Sequence, residues 1–276
     1  MVSFPNCKIN LGLNIIRKRA DGYHDLETVF YPIPIPDALE IIAAEKGIAK
    51  TDIEFSSSGL HIDGDTENNL CIKAYRLLKK DFPQIPAIKM HLHKAIPMGA
   101  GLGGGSADAA YTLMLLNNKF NLNFSTTQLI NYALQLGSDC PFFIINKPCF
   151  ATGRGEVLEE INLDLSKYKL VIVNPGIHIN THWAFSHIKP QQPHISIKEV
   201  IQQPIQGWKE KLLNDFEAPV LSHYPELKEL KEKLYQSGAL YAAMSGSGST
   251  FYGIFEKSAV LNAEDFHQGY FVKVIS

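Results

Sequence analysis

Pro97-Met-Gly-Ala-Gly-Leu-Gly-Gly-Gly-Ser-Ala-Asp-Ala-Ala110 places five glycines within positions 99–105 and then passes directly into residues that favour helix. Lacking a Cβ, glycine accepts positive φ and lets another group approach the backbone closely. Successive N–H groups in such a loop form a concave nest, and a helix behind it directs its positive end at the same point. The ligand this arrangement suits is a phosphate.

Gly99, Gly101 and Gly104 fit the spacing G-x-G-x-x-G, which unrelated phosphate loops share, so the flanks must decide between them. A dinucleotide-binding fold runs a strand straight into the glycines and carries an acidic residue about 20 positions later. Here Lys94 to Pro97 intervenes, and the segment around residue 124 is Asn123-Phe-Ser-Thr126. A Walker A loop continues into Gly-Lys-Ser/Thr, whereas Gly105 is followed by Ser106 and Ala107. The Val-Ala-Ile-Lys and His-Arg-Asp motifs of protein kinases are absent.

Working outward, Ile88, Met90 and Leu92 alternate with Lys89, His91 and His93, which predicts a half-exposed strand leading to Pro97. Leu70, Ala74, Leu77 and Leu78 have helical spacing over 69–80, and Pro83 ends the run. Nearer the start, Ile9, Leu11, Leu13 and Ile15 alternate with Lys8, Asn10 and Asn14, the pattern of a half-buried strand with a polar face. Residues 17–24 read as a loop around Asp21-Gly22. Tyr31-Pro-Ile-Pro-Ile-Pro36 is confined to an edge or a connection by its missing N–H groups. Past the glycines, Ala109, Leu113 and Leu116 mark one helix, and Ser125 and Gly137 bound a second.

Leu170-Val-Ile-Val173 is a buried strand, residues 212–218 and 225–236 read as helices, and 242–250 is a second glycine-rich loop before a strand at 251–255. The stretch from 174 to about 207, rich in His, Gln and Pro, has little periodicity. Two domains are expected, 1–155 holding the phosphate loop and 156–276 completing the substrate site.

The chain of 276 residues is 45% hydrophobic and 20% charged with a net charge of −2, the profile of a soluble globular protein without a basic field for nucleic acid. Cys7, Cys71, Cys140 and Cys149 form no C-x-x-C pair, which suits reduced thiols in a cytoplasm. No apolar run approaches the roughly 20 residues of a membrane span. Small-molecule substrates, and neither nucleic acid nor membrane, are the partners expected. His91 and His93 make an H-x-H pair without an evident third ligand, so no metal site is assigned to protein side chains.

The glycine-rich stretch resembles the ATP-binding signature of the galactokinase, homoserine kinase, mevalonate kinase and phosphomevalonate kinase superfamily. Lys8-Ile-Asn-Leu11, Arg19-Ala-Asp-Gly-Tyr-His-Asp-Leu-Glu-Thr28 and Gly137-Ser-Asp-Cys-Pro-Phe-Phe143 together resemble its 4-diphosphocytidyl-2-C-methyl-D-erythritol kinases. The loop Ser245-Gly-Ser-Gly-Ser-Thr250 is similar to the third motif of that family, so the landmarks run from residue 8 to residue 250. The resemblance implies an α+β, two-lobed small-molecule kinase fold, its N-terminal lobe ribosomal-S5-like and its C-terminal lobe ferredoxin-like. It implies transfer of the γ-phosphate of ATP, accompanied by Mg2+, to the 2-hydroxyl of the diphosphocytidyl acceptor in non-mevalonate isoprenoid precursor synthesis. A homoserine or mevalonate type of kinase is the rival within the fold, and a catalytically silent metabolite sensor the rival outside it.

Phosphoryl transfer leaves the protein little covalent work; it must hold the phosphates, aim the hydroxyl and accept its proton. By the resemblance, Asp139 is the general base, and Lys8 lowers the pKa of the acceptor hydroxyl or keeps Asp139 ionised. Pro97, Met98, Gly99, Ala100, Gly101, Leu102, Gly103, Gly104, Gly105, Ser106 and Ala107 bind ATP, with Asn69, Leu70 and Lys94 beside the adenine. Ser106 and Asp108 open the helix, where a hydroxyl meets phosphate or magnesium and a carboxylate caps. On the acceptor side stand Asn10, Tyr23, His24, Thr181 and Phe185, with Tyr23 and Phe185 stacking the cytosine and His24 bonding its edge. Trp183 competes with Phe185 for that role.

Overall fold

The computed structural model describes residues 1–44 and 51–276. Its strands are β1 (Val2–Ser3), β2 (Asn6–Lys18), β3 (His24–Pro36), β4 (Ala38–Ala43), β5 (Ile53–Gly59), β6 (Ile88–Lys94), β7 (Cys149–Thr152), β8 (Val157–Glu160), β9 (Tyr168–Asn174), β10 (Tyr241–Met244), β11 (Phe251–Glu256) and β12 (Phe271–Ile275). The helices are α1 (Leu70–Asp81), α2 (Gly104–Lys119), α3 (Thr126–Leu136), α4 (Cys140–Ile145), α5 (Thr181–Ser186), α6 (Ile197–Val200), α7 (Glu217–His223) and α8 (Pro225–Gln236). The content is α+β, as expected. By contacts the chain forms two units, neither of them one run of sequence: Met1–Cys7, Ile33–Met98 and Gly103–Asn146 make the first, and Lys8–Pro32, Gly99–Leu102 and Lys147–Ser276 the second.

In the first unit β1, β4, β6 and β5 form a sheet in that order, with β4 antiparallel and β5 parallel to β6. Alternation along β6 sends Ile88, Met90 and Leu92 inward, where they meet Leu39, Ile41, Ala74, Leu78, Leu113 and Leu116 in one core. The outward residues His91 and His93 are hydrogen-bonded by Ser56 and Ser58 of the neighbouring strand at 2.8–3.0 Å. Helix starts follow the chain's own signals. The Asn69 side chain accepts from Cys71 N at 2.9 Å, and Ser125 with Gln128 forms the capping box of α3.

In the second unit β10, β11, β9 and β12 form an antiparallel sheet whose buried face packs Val171, Val173, Met244 and Phe251 against Val220, Leu227 and Leu234 of α7 and α8. A third sheet has the order β2, β3, β7, β8. Pairing of β3 with β7 covers only Thr28–Phe30, so the proline-bearing half of β3 lies beyond that ladder, as its missing N–H groups require.

Several expectations change. The polar face of β2 is not solvated: Lys8 is 3% exposed and Asn10 2%. The predicted loop at 17–24 shrinks, because β2 runs to Lys18 and β3 begins at His24. Residues 212–216 are not helical. Leu213 O and Asp215 N pair with the backbone of Leu13, at 2.8 and 2.9 Å, and the Asn214 amide donates to Met244 O and Gly246 O, so this segment joins a strand edge. Tyr241–Met244 is strand, and the second glycine loop begins only at Ser245. The stretch with little periodicity holds α5 and α6, capped by Asn180 and Ser196.

Candidate active site

The phosphate loop is held by its apolar residues and shaped by its glycines. Ala100 and Leu102 are buried, while Gly99, Gly101 and Gly103 take φ of +61°, +80° and +70°. Gly101 has no room for a side chain, since a Cβ there would stand 2.0 Å from the Ser245 carbonyl oxygen. Helix α2 begins at Gly104 behind Gly103, and no side chain caps it. Its first-turn N–H groups are therefore the kind of donors that an anion satisfies. Replacing Gly103 by Val forces a β-branched residue into left-handed backbone, which costs on the order of 1–2 kcal/mol or more. Gly103→Val is expected to weaken ATP binding about tenfold by calorimetry, with acceptor affinity unchanged; equal loss of both ligands would make the loop merely structural.

Lys8 is a buried cation. Its Nζ donates to Asn10 Oδ1 at 2.6 Å and to Gly101 O at 3.2 Å, and lies 4.9 Å from the centre of the Phe30 ring. Asn10 is fixed in turn: its amide donates to Thr28 Oγ1 at 3.0 Å and its backbone N–H to Ser245 Oγ at 3.2 Å. The Ser245 hydroxyl also donates to Gly101 O at 2.8 Å. One residue of the glycine loop thus shares hydrogen bonds with β2 and with the second glycine loop. That explains why the alternate positions of β2 carry Lys and Asn yet are closed to water.

Asp139 is half-buried and occupies the cap position of α4 with helical φ and ψ of −82° and −18°. Its carboxylate makes no cap bond to that helix. Cys140, Pro141, Phe142 and Phe143 behind it are buried. The Cys140 thiol, beside the Ser106 hydroxyl, is pushed up to about 12 by burial and is inert.

Asp108 does not serve the helix end. It lies in the second turn of α2, 2% exposed, and binds Lys94 at 2.9 Å; Lys94 also binds Asp37. Asp37 Oδ1 accepts from the N–H groups of Ala95 and Ile96 at 2.6 and 2.8 Å. Two carboxylates share one ammonium. Burial, and then Asp37, push Asp108 up to about 7 despite the attraction of Lys94, while burial of Lys94 is outweighed by Asp108 and Asp37, which hold it above the usual lysine range. Lys94 and Asp108, together with Asn69, Leu70, Met98 and Gly105, line a cavity of about 270 Å³, so the residues expected around the adenine do converge.

A carboxyl group raised from about 3.9 in the unfolded chain to about 7 in the folded one holds its proton more tightly when folded. Its stabilisation is full below pH ~4 and is lost as pH rises through about 7. Asp108→Asn is expected to flatten the fall in melting temperature over that window, read from melting curves at successive pH values. A variant curve parallel to wild type would refute the shift.

On the second unit, His24 lies parallel to Phe185, centroids 4.7 Å apart with 15° between planes. Phe185 also meets Phe216 edge-on at 4.9 Å. It sits on α5 one turn after Thr181, whose hydroxyl is 3.2 Å from Ser247 Oγ. Trp183 packs on His187, His223 and Tyr224. Burial, then the charge of Lys18, lowers the pKa of His24, which leaves a neutral imidazole with one donor and one acceptor. Tyr23 is 56% exposed, with the Arg154 guanidinium 4.8 Å from its ring centre.

The family description GHMP kinases N terminal domain matches residues 69–147, and GHMP kinases C terminal matches 196–273. A 4-diphosphocytidyl-2-C-methyl-D-erythritol kinase of Bacteroides fragilis is 51% identical to this chain over 270 residues, covering 98% of it and 97% of the relative. The chain belongs to the 4-diphosphocytidyl-2-C-methyl-D-erythritol kinase family of the GHMP kinases. A member from Cytophaga hutchinsonii is 46% identical, covering 97% of this chain and 96% of its own. The crystal structure of a 4-(cytidine 5'-diphospho)-2C-methyl-D-erythritol kinase aligns with a TM-score of 0.79 at 31% identity, covering 92% and 90% of the two chains. A homoserine kinase from Cytophaga hutchinsonii, at 14% identity and TM-score 0.69 over 99% and 95% of the two chains, shares the GHMP kinase fold alone. The homoserine and mevalonate readings are thereby not favoured, and the chain is a small-molecule kinase.

The residues missed in the sequence are Asp37, Thr28 and Arg154. Asp37 follows the proline run Tyr31–Pro36 and carries no motif of its own, and Thr28 closes a motif without an assigned role. Arg154 lies in Thr152-Gly-Arg-Gly-Glu156, where the paired glycines were the available signal.

Proposed function

We infer that this chain phosphorylates the 2-hydroxyl of 4-diphosphocytidyl-2-C-methyl-D-erythritol with ATP, a step in isoprenoid precursor synthesis. The observation that carries this is the likeness to kinases of that name over nearly the whole chain. The geometry supports it from both substrates: a positive-φ glycine loop ahead of an uncapped helix for phosphates, and an aromatic cluster with a neutral histidine for a nucleobase.

In this reading Asp139 takes the proton of the acceptor hydroxyl as its oxygen attacks the γ-phosphorus; the bond to the bridging oxygen breaks and ADP leaves. Lys8, held by Asn10, supplies fixed positive charge where the hydroxyl loses its proton. Asn69, Leu70 and Lys94 border the adenine. Tyr23 and Phe185 flank the cytosine, His24 reads it, and Thr181 anchors the helix that carries Phe185. Magnesium is placed on the nucleotide phosphates. The carboxylate nearest the glycines, Asp108, is committed to Lys94, and among the described residues no group of three ligating side chains offers an ion a cage.

The lobes are taken to part near residue 155, between the end of the first family match at 147 and the start of the second at 196. No helix of the described residues is long and apolar enough to cross a membrane. The four cysteines are buried thiols outside any disulfide, which suits the cytoplasm. The deciding assay follows ADP release by purified protein with the diphosphocytidyl acceptor, homoserine or mevalonate. Turnover with the first alone is expected; turnover with either of the others, or none with the first, overturns the reading.

A further inference from the structure

Arg154 stands on the turn between β7 and β8 with its guanidinium over the Tyr23 ring. The turn is shaped to present it. Gly153 and Gly155 on either side take φ of +68° and +105°, and the Glu156 carboxylate accepts from the Arg154 backbone N–H and lies 3.5 Å from its guanidinium. Gly153 O accepts from Leu26 N at 2.7 Å, which ties the turn to the strand that begins just after Tyr23. On its other side the aromatic hairpin is clamped by Arg19, 3.0 Å from Asp21 and 2.9 Å from Asp25, and Asp21 accepts from Tyr23 N at 3.1 Å. The backbone under Tyr23 is therefore fixed, while its ring is mostly in water and, without a further contact, would have rotamer freedom to lose when a base stacks on it.

We propose that Arg154 is a positioning residue of the acceptor site: by covering one face of the Tyr23 ring it fixes that ring and leaves the opposite face to the pyrimidine. This rests on the reading of Tyr23 as a base-stacking residue. A cation over a ring holds it by the ring's negative face, and an ordered ring binds a base without first paying to be ordered. Arg154 contributes little to folding, since its ion pair with Glu156 is long and partly solvated. Its effect is expected on acceptor binding alone.

The test uses the intact protein. Arg154→Gln should keep the wild-type melting temperature, kcat and KM for ATP, and raise the KM for the acceptor about threefold, the size of a cation over an exposed ring. Arg154→Lys should recover most of that loss. In calorimetry, cytidine and CDP should weaken by the same factor, because the action is on the base. Tyr23→Leu should raise the acceptor KM by itself, and Arg154→Gln added to it should do nothing more. A silent Arg154→Gln, additive losses, or weakening confined to CDP overturns the proposal, the last by placing the guanidinium on the phosphates. A silent Tyr23→Leu overturns the stacking role of Tyr23, and the proposal with it.

Discussion

Asp139→Asn is expected to bind ATP and the acceptor with near wild-type affinity and to turn over at least ~10²-fold more slowly, the usual loss of a positioned general base. The amide keeps the size of the carboxylate but cannot take a proton. Because the buried Cys140 to Phe143 run holds α4 by its apolar contacts and the amide matches the carboxylate in size, folding should be spared. Binding isotherms and melting curves alongside turnover separate chemistry from structure. Wild-type turnover in a folded variant would remove Asp139 from the mechanism.

Lys94→Met is expected to cost more in stability than any other single change in the first unit. It leaves Asp37 and Asp108 buried without their cation, and stripping one partner from a buried ionic group costs about 3–5 kcal/mol. For a chain of this size that lowers the melting temperature by on the order of 10 °C. Replacing all three, Lys94→Met with Asp37→Asn and Asp108→Asn, should return part of the loss, since no charge is then left buried. A Lys94→Met protein melting within about 2 °C of wild type would mean that water reaches the cluster. ATP affinity should fall with the single change, because the same lysine borders the cavity beside Asn69 and Leu70.

What was legible in the sequence was what local chemistry determines. The inward face of β6, the Ser125 cap of α3, and α8 from Pro225 to Gln236 each follow from a period, a cap or a proline within a dozen residues. The phosphate loop was legible because only glycine takes those angles freely. Lys8 and Asn10 read as the polar face of a half-buried strand, and the closing of that face to water was not legible because their partners, Gly101, Thr28 and Ser245, are remote in sequence. The same holds at 212–216, where helix-favouring residues are drawn into a strand edge by Leu13. Asp108 was misread by one helical turn. Its position invited a cap role, and only the distant pair of Lys94 and Asp37 explains why it turns inward.

That strand edge has a bearing on how the chain is made. Leu13 finds Leu213 and Asp215, and the Ile15 N–H finds the Asp215 carboxylate, across 200 residues. A nascent chain has therefore exposed β2 long before the segment that covers its edge leaves the ribosome. At about 5–20 residues per second the wait is on the order of 10–40 s, with an open strand edge meanwhile offering itself to other chains. The second unit shares this lateness, because its sequence includes Lys8–Pro32 at one end and Lys147–Ser276 at the other. Helices α1, α2 and α3, whose core is built from contacts within 39–140, can settle first. Order of synthesis and order of closure thus run opposite ways for the strand that carries Lys8.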